Sequence, residues 1–430
     1  MFISVNFMKI YFSPVSKAFF AISIYVILFL AEVNAQQKPL YFKHSERIAA
    51  SKCVLVDLEK PATSATVQWL NNSYTKGFYI YADGEKYFVE RDADAEEING
   101  KVFSHLVVFP SPISTFTVCS EDYHGEITMH FLQVPYIAFD KNAFKQKRNK
   151  TGCKKPVTVD QDIWRAGLAA PTVTPAAHKV THIIVHHTAT PNSQTDYVNV
   201  VRNIYLYHTE VNGWDDIGYN FLVAPDGIIF QGRDGMGVDE DDNIRGAHFC
   251  GKNTNTMGIS MIGDYQQVAP TDTSLQALEQ LIAWKMNKEN IEANENTIHN
   301  GVLLNTISGH RDGCATECPG DSVYVRLPQV RNEVDILMED CMSPTIGIAQ
   351  KHFSGDVYMQ YNHTGNEVNI RSDKAANYTF TLVDLQGKIW KSGNINVGFE
   401  AVSARDLPNG IYILQLNNSQ GKNTLKFVKM

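Results

Sequence analysis

The pattern of apolar residues changes twice along this 430-residue chain, and these two changes limit its architecture more than any other feature. Residues 36–139 are typical of short strands, such as ATVQWL and GFYIYA, separated by turn residues. Residues 153–341 alternate buried strands with helical segments, and residues 343–430 return to strands. The sequence therefore predicts an N-terminal all-β accessory domain, a central α/β domain with a mixed sheet flanked by helices, and a small C-terminal β-sandwich.

The N-terminus has the order of a secretory signal peptide. Lys9 and Lys17 precede an uncharged apolar run, and small Ala35 marks a cleavage site before polar residues. The run covers residues 18–31, which is short for a bilayer span of roughly 20 apolar residues. We therefore expect residues 1–35 to be removed, and the mature protein to have no transmembrane anchor. A basic stretch, residues 140–152, is predicted to link the first two domains.

Charge and cysteine content narrow the function. The formal net charge is -8, and no basic excess indicates a nucleic-acid partner. Export makes disulfides possible, and the chain has seven cysteines. An odd count leaves at least one thiol outside intrachain pairing, and metal binding is one use for it.

The stretch GHRDGCATECPGD, residues 309–321, allows two interpretations. It is either a disulfide-stapled surface loop or half of a metal site formed by His310 and Cys318. A third candidate ligand is His186, at the end of the buried strand VTHIIVHH. Two histidines and one cysteine leave the fourth tetrahedral position of a zinc ion open, which is typical of catalytic rather than structural sites.

Four motifs in order carry a family resemblance: HIIVHHTAT, GWDDIGYNFLVAPDG, GAHFCGKNTNTMGISMIGDY and GHRDGCATECPGD. Together they resemble the zinc-dependent N-acetylmuramoyl-L-alanine amidases, which include phage T7 lysozyme and the peptidoglycan recognition proteins. The resemblance covers roughly residues 157–337 and implies their fold. It implies a Zn²⁺ site in which His186, His310 and Cys318 are the ligands.

The resemblance also implies further roles. Tyr219 matches the catalytic tyrosine, and Thr316 matches a supporting polar position. His208 and His248 match groove residues that contact glycan or peptide. With Cys318 on the metal, one possible pairing of the other six cysteines is Cys53–Cys119, Cys153–Cys341 and Cys250–Cys314.

Two more segments bear on function. Residues 235–245, GMGVDEDDNIR, are longer and more acidic than the family pattern, so the family's stem-peptide preference is not carried over. Residues 346–430, with LVDLQGKIW, DLPNGIYIL and LKFVKM, resemble the type A sorting domain of the type IX secretion system in Bacteroidetes. That resemblance implies a secreted or surface protein of a Gram-negative, Bacteroidetes-like bacterium, with the type IX machinery as a partner.

The sequence thus predicts a secreted zinc hydrolase that cleaves the amide between N-acetylmuramic acid and L-alanine in peptidoglycan. The alternative is a non-catalytic peptidoglycan receptor or adhesin on the same fold. Because such receptors usually lack the cysteine ligand, the presence of Cys318 together with Tyr219 favours the enzyme. Export beyond the outer membrane leads us to expect foreign or shed peptidoglycan as the target.

Overall fold

The computed structural model describes residues 40–71, 75–92, 95, 97–145, 154–342, 357–362, 366–372, 378–395, 398–418 and 421–429. The chain divides into two compact units, Met1–Met338 and Glu339–Met430. The predicted signal peptide lies outside the described residues. Across the parts of the chain that are described, no helix has the length and apolar character to cross a membrane.

The N-terminal region folds as one antiparallel sheet, in agreement with the all-β prediction. Its strands are β1 (Leu40–Ile48), β2 (Lys52–Leu70), β3 (Phe78–Ala82), β4 (Glu85–Val89), β5 (Lys101–Phe103), β6 (Val107–Ser120) and β7 (Gly125–Gln133). The order across the sheet is β1-β7-β2-β6-β3-β4, and β5 pairs with β2. A disulfide joins Cys53 on β2 to Cys119 on β6, which confirms that predicted pair.

The central region is the predicted α/β domain. Its strands are β8 (Thr158–Val159), β9 (His182–His187), β10 (Phe221–Val223), β11 (Ile229–Gln231), β12 (Thr256–Met261), β13 (Asn296–His299), β14 (Val302–Asn305) and β15 (Ile307–Gly309). Its helices are α1 (Gln161–Trp164), α2 (Tyr197–Leu206), α3 (Asp272–Glu289), α4 (Asp321–Tyr324) and α5 (Leu327–Met342). The main sheet has the order β15-β9-β12-β10-β11-β8 and is mixed, because only the β10–β11 hairpin is antiparallel.

Local sequence signals explain several of these elements. Helix α3 begins after Thr271, whose hydroxyl accepts a hydrogen bond from the Ser274 N–H at 3.0 Å, as expected of an N-cap. It ends at Asn290, which takes the left-handed conformation at φ 57°. The chain breaks between α4 and α5, and Pro328 occupies the first turn of α5, where a missing N–H costs little.

The N-terminal sheet and the central domain share one hydrophobic core. Phe103, Leu106 and Val108 belong to the same buried cluster as Val201 and Ile204 of α2. The predicted linker starts with a 3₁₀ turn, Lys141–Phe144, and the Phe144 ring stacks on Phe139 at 5.3 Å between centroids. The rest of the linker, from residue 146, lies outside the described residues. The two regions are therefore predicted to unfold together rather than as separate modules.

Beyond the end of α5, the described residues of the C-terminal unit form strands joined by turns. They are β16 (Val357–Asn362), β17 (Glu367–Ser372), β18 (Tyr378–Asp384), β19 (Ile389–Ile395), β20 (Gly398–Ser403), β21 (Gly410–Asn418) and β22 (Gly421–Lys429). They form two sheets, β16-β17-β20 and β19-β18-β21-β22. Apolar side chains from both sheets, including Val368, Leu382 and Leu414, form one buried core, which fits the β-sandwich prediction.

Candidate active site

The sheet brings the three predicted metal ligands together. His186 lies at the end of β9, and His310 opens the short 3₁₀ turn His310–Asp312 directly after β15. Because β9 and β15 are parallel neighbours, their carboxyl ends meet at one edge. Cys318 reaches the same point from the following loop. The ligand atoms of His186, His310 and Cys318 all lie within 4.8 Å of one another, and all three residues are buried.

The spacing of these atoms fits a tetrahedral zinc ion. Zinc bonds of about 2.3 Å to sulfur and about 2.1 Å to nitrogen imply an S···N separation of about 3.6 Å at tetrahedral angles. The Sγ of Cys318 lies 3.6 Å from Nδ1 of His186. The donor set of two imidazoles and one thiol is also one that zinc prefers. The residues present therefore fit the metal that the family implies.

The loop around Cys318 holds the thiol in this position. The Cys318 N–H donates to the Thr316 hydroxyl at 3.1 Å, and the Arg311 N–H donates to the Cys318 carbonyl at 3.0 Å. The His187 N–H points at the Cys318 Sγ at 3.3 Å. A disulfide joins Cys250 to Cys314, as predicted, and Cys318 belongs to neither described disulfide. Cys153 and the side chain of Cys341 lie outside the described residues.

Burial keeps the histidines in the neutral form that a metal requires. Burial, followed by the neighbouring His310, His248 and His187, holds the pKa of His186 well below its ordinary value. Burial also lowers the pKa of His310 to about 3 and that of His187 to about 3. The two candidate ligands, His186 and His310, therefore need not lose a proton before a cation binds at neutral pH.

Tyr219 lies beside the donor cluster. Its ring centroid is 5.3 Å from that of His186 and 5.7 Å from that of His208, and 7% of the residue is exposed. The Arg233 N–H donates to the Tyr219 carbonyl at 2.8 Å, which fixes the backbone next to β10. A side chain at Gly232 would come within 2.2 Å of that carbonyl, so this close approach requires glycine.

His208 lines the same cavity as Tyr219 and Cys318. It lies in a π-helical turn, Tyr207–Val211, that follows α2, and its ring stacks on Trp214 at 4.6 Å. Its Nδ1 accepts the Gly218 N–H at 3.1 Å, and burial lowers its pKa to about 3. A neutral ring that accepts at Nδ1 carries its proton on Nε2, so His208 presents a hydrogen-bond donor.

His248 lies behind the metal ligands instead of on the cavity wall. It is 3% exposed, and its Nδ1 lies 3.1 Å from Nε2 of His186. Its Nε2 lies 3.3 Å from the Thr256 hydroxyl on β12. The His248 ring thus touches the candidate metal ligand His186, whereas its predicted contact with substrate would require access from the groove.

The structure adds residues that the sequence motifs do not indicate. Asp92, His105 and Leu106 of the N-terminal sheet line the cavity together with Tyr219 and Cys318. The volume of this cavity is about 30 Å³. No local pattern marks these three residues, because their position depends on how the sheet packs against α2.

The acidic insertion, residues 235–245, is anchored by lysines of α3. Lys285 is fully buried, and its Nζ lies 2.7 Å from Asp242 Oδ2 and 2.8 Å from Glu289 Oε1. Lys288 reaches the same Asp242 carboxylate at 2.7 Å. The insertion therefore has a fixed structural role at Asp242 in addition to any contact with a ligand.

A mixed sheet with a buried His–His–Cys donor set at the carboxyl edge of its strands defines a protein able to hold a metal beside a polar cavity. Comparison with known proteins agrees: residues 176–321 match the family model described as N-acetylmuramoyl-L-alanine amidase. The chain belongs to this family, which includes the peptidoglycan recognition proteins. Residues 362–430 match the model described as secretion system C-terminal sorting domain, which indicates secretion or a place at the cell surface. Both resemblances read from the sequence are confirmed.

Individual relatives fit the same assignment. Peptidoglycan-recognition protein SC2 of Drosophila simulans is 31% identical over 168 residues, which are 39% of this chain and 82% of the relative. The human N-acetylmuramoyl-L-alanine amidase is 30% identical over 148 residues, 33% of this chain and 23% of the human protein. Among solved structures, wild-type Drosophila PGRP-LB is 29% identical over a match that covers 40% of this chain and 91% of that structure's chain, with a TM-score of 0.33.

Proposed function

We propose that this protein is a secreted zinc-dependent N-acetylmuramoyl-L-alanine amidase. It would cleave the amide between the lactyl group of N-acetylmuramic acid and the L-alanine of a peptidoglycan stem peptide. The observation that carries this proposal is the buried cluster of His186, His310 and Cys318, with its 3.6 Å S···N separation, beside Tyr219.

In this proposal, His186 binds zinc through Nδ1, together with His310 and the Cys318 thiolate. A zinc ion held by three protein ligands supplies a Lewis acid and activates a water molecule at neutral pH. His248 would orient His186 through the contact between their rings, a type of support on which metal affinity commonly depends. Thr316 would act mainly through its hydrogen bond to the Cys318 N–H.

The chain supplies two groups for the developing charge. Tyr219 is placed beside the metal ligands, and its hydroxyl would donate to the scissile carbonyl oxygen as that oxygen becomes negative. His208 carries its proton on Nε2 and lines the same cavity, so it would donate to a carbonyl or hydroxyl of the muramyl peptide. Both groups are held by backbone contacts before substrate arrives, which lowers the cost of reorganisation.

The sorting domain bears on the target of the enzyme. A predicted signal peptide followed by a C-terminal sorting domain suggests passage across two membranes of a Bacteroidetes-like bacterium by the type IX machinery. An enzyme released there is badly placed to remodel its own wall, so we propose foreign or shed peptidoglycan as its substrate. Fractionation that finds the mature protein confined to the periplasm would contradict this.

The test measures metal and activity on the full chain in parallel. We expect about one zinc per wild-type chain by mass spectrometry, and release of a free L-alanine amine from soluble muropeptides that stops on chelation. Cys318→Ser and His186→Gln should lose both zinc and cleavage. The matched control is His182→Gln, since His182 is buried on the same strand four residues earlier but hydrogen-bonds Thr297 instead.

Zinc-free wild-type protein that still binds peptidoglycan would instead favour the non-catalytic receptor. In that case Cys318→Ser should leave binding unchanged.

A further inference from the structure

The N-terminal sheet is attached rigidly to the helix that borders the cavity. The Thr63 hydroxyl donates to Asn203 Oδ1 of α2 at 2.8 Å, and Gln194 Nε2 donates to the Val108 carbonyl at 2.6 Å. Both hydrogen bonds are buried and join the two regions, which also share an apolar core. These contacts hold the sheet against the central domain, so the sheet forms part of the wall around the site.

One edge of this sheet reaches the cavity. Asp92 follows β4, and His105 and Leu106 precede β6. All three line the cavity that also contains Tyr219 and Cys318. The hydroxyl of Tyr207, which directly follows α2, donates to Asp92 Oδ2 at 2.9 Å and so ties this edge to the central domain.

His105 is the group on this wall best placed to meet a substrate. Its side chain is 26% exposed, whereas that of Asp92 is 12% exposed and Leu106 is buried. Its Nδ1 lies 4.0 Å from Asp92 Oδ1. This separation is longer than a hydrogen bond, so Asp92 does not fix the tautomer, and the ring offers hydrogen-bonding nitrogens to a ligand.

We propose that His105 is a substrate-positioning residue, and that the N-terminal sheet forms one wall of the muramyl-peptide site through His105 and Asp92. The ligand group would be a hydrogen-bonding group close to the scissile amide, such as a peptide amide or a sugar hydroxyl. The proposal rests on the proposed function and adds to it a substrate contact from outside the region that matches the amidase family model, residues 176–321.

The size of the cavity explains why this wall would matter. A cavity volume of about 30 Å³ accommodates a few ligand atoms but not a sugar ring. Its lining includes Cys318 and Tyr219 of the central domain as well as Asp92 and His105 of the wall, so ligand atoms that enter it meet residues of both regions. A hydrogen bond at this place therefore contributes to binding of the group that enters the cavity beside Tyr219.

The test uses steady-state kinetics of the full chain on a soluble N-acetylmuramyl tripeptide. We expect His105→Ala to raise KM at least tenfold while kcat changes by less than threefold, since the contact is made in the bound substrate as well as in the transition state. His105→Gln keeps an acceptor and should recover most of the loss. Zinc content should equal that of the wild type in both variants, which separates this effect from damage to the metal site.

The matched control is His124→Ala. His124 is exposed in the loop that joins β6 to β7, at the opposite end of β6 from His105. We expect its KM and kcat to equal the wild-type values. If His105→Ala does so as well, with cleavage by the wild type intact, the wall proposal is wrong and the amidase proposal stands.

Calorimetric titration with the same tripeptide separates the remaining outcomes. If the wild type binds without cleaving, and His105→Ala weakens binding at least tenfold while His124→Ala does not, the wall is supported and the amidase activity is refuted. A wild type that neither cleaves nor binds the tripeptide overturns both proposals.

Discussion

Lys285 allows a quantitative test of how the acidic insertion is held. Its side chain is fully buried, and its Nζ donates to Asp242, Glu289 and Asn243 at 2.7–2.8 Å. Removing one partner of a buried ion pair costs about 3–5 kcal/mol, because the other charge is left without compensation. After Lys285→Met, Asp242 would still pair with Lys288, so we expect the lower end of that range, about 3 kcal/mol of unfolding free energy.

The control for this prediction is Lys288→Met. Lys288 lies on the same helix and contacts the same Asp242 carboxylate at 2.7 Å, but its side chain is 32% exposed. Ion pairs in contact with solvent contribute about 0–1 kcal/mol, so this variant should lose no more than that. The two variants share residue type, helix and partner, and they differ in burial.

Urea unfolding followed by tryptophan fluorescence measures both losses, because Trp284 is buried next to Lys285. If the slope of unfolding free energy against urea concentration equals that of the wild type, each variant changes stability without changing the surface exposed on unfolding. Equal losses for the two variants, or a loss below about 1 kcal/mol for Lys285→Met, would refute the argument that burial sets the contribution of this pair.

Three further predictions concern the histidines and the tyrosine. Burial lowers the pKa of His130 to about 3 from an ordinary 6.5. The stability that the neutral His130 contributes is therefore present above pH 6.5 and is lost as the pH falls towards 3. Between pH 7 and pH 5, urea titrations should show that the wild type loses about 2 kcal/mol more unfolding free energy than His130→Gln. Gly258→Ala would place a Cβ 2.5 Å from the His248 ring, and the displaced ring should lower zinc affinity about 10–100-fold in competition with a chelator. Tyr219→Phe should retain zinc and lower kcat about 10²–10³-fold in the muropeptide assay; an unchanged kcat would remove Tyr219 from the chemistry.

Local signals in the sequence predicted the elements that place the metal ligands. The β-branched strand that carries His186 occurs as expected, and the cap of α3 at Thr271 has a short-range physical cause of the same kind. The turn at Pro225 and Gly227 similarly gives the antiparallel pair β10–β11, with Gly227 at φ 82°. The metal ligands themselves needed the family resemblance, since His310 and Cys318 alone also fit a disulfide loop.

Contacts between distant parts of the chain had no such signal. Lys285 lies seven residues after Leu278 and so falls on the apolar face of α3, which marks it as unusual, but its partner Asp242 is 43 residues away. His105 is separated from Cys318 by most of the two regions, and only the packing of the N-terminal sheet on α2 brings both to one cavity. Periodicity reports which face of an element is buried, and it carries no information about what covers that face.

The stretch GHRDGCATECPGD joins both interpretations that its sequence allowed, because its two cysteines differ in what they face. Cys314 pairs with Cys250, whereas the Cys318 Sγ lies 3.6 Å from His186. The ligand atoms of Cys250, Cys314 and His310 also lie within 4.8 Å of one another, so two free thiols there would compete for a metal at His310. The disulfide removes this competition, since neither of its sulfurs can act as a thiolate ligand. If Cys318 binds the metal as proposed, the same loop supplies a ligand there and, through the disulfide of Cys314, leaves His310 only one set of metal-binding partners.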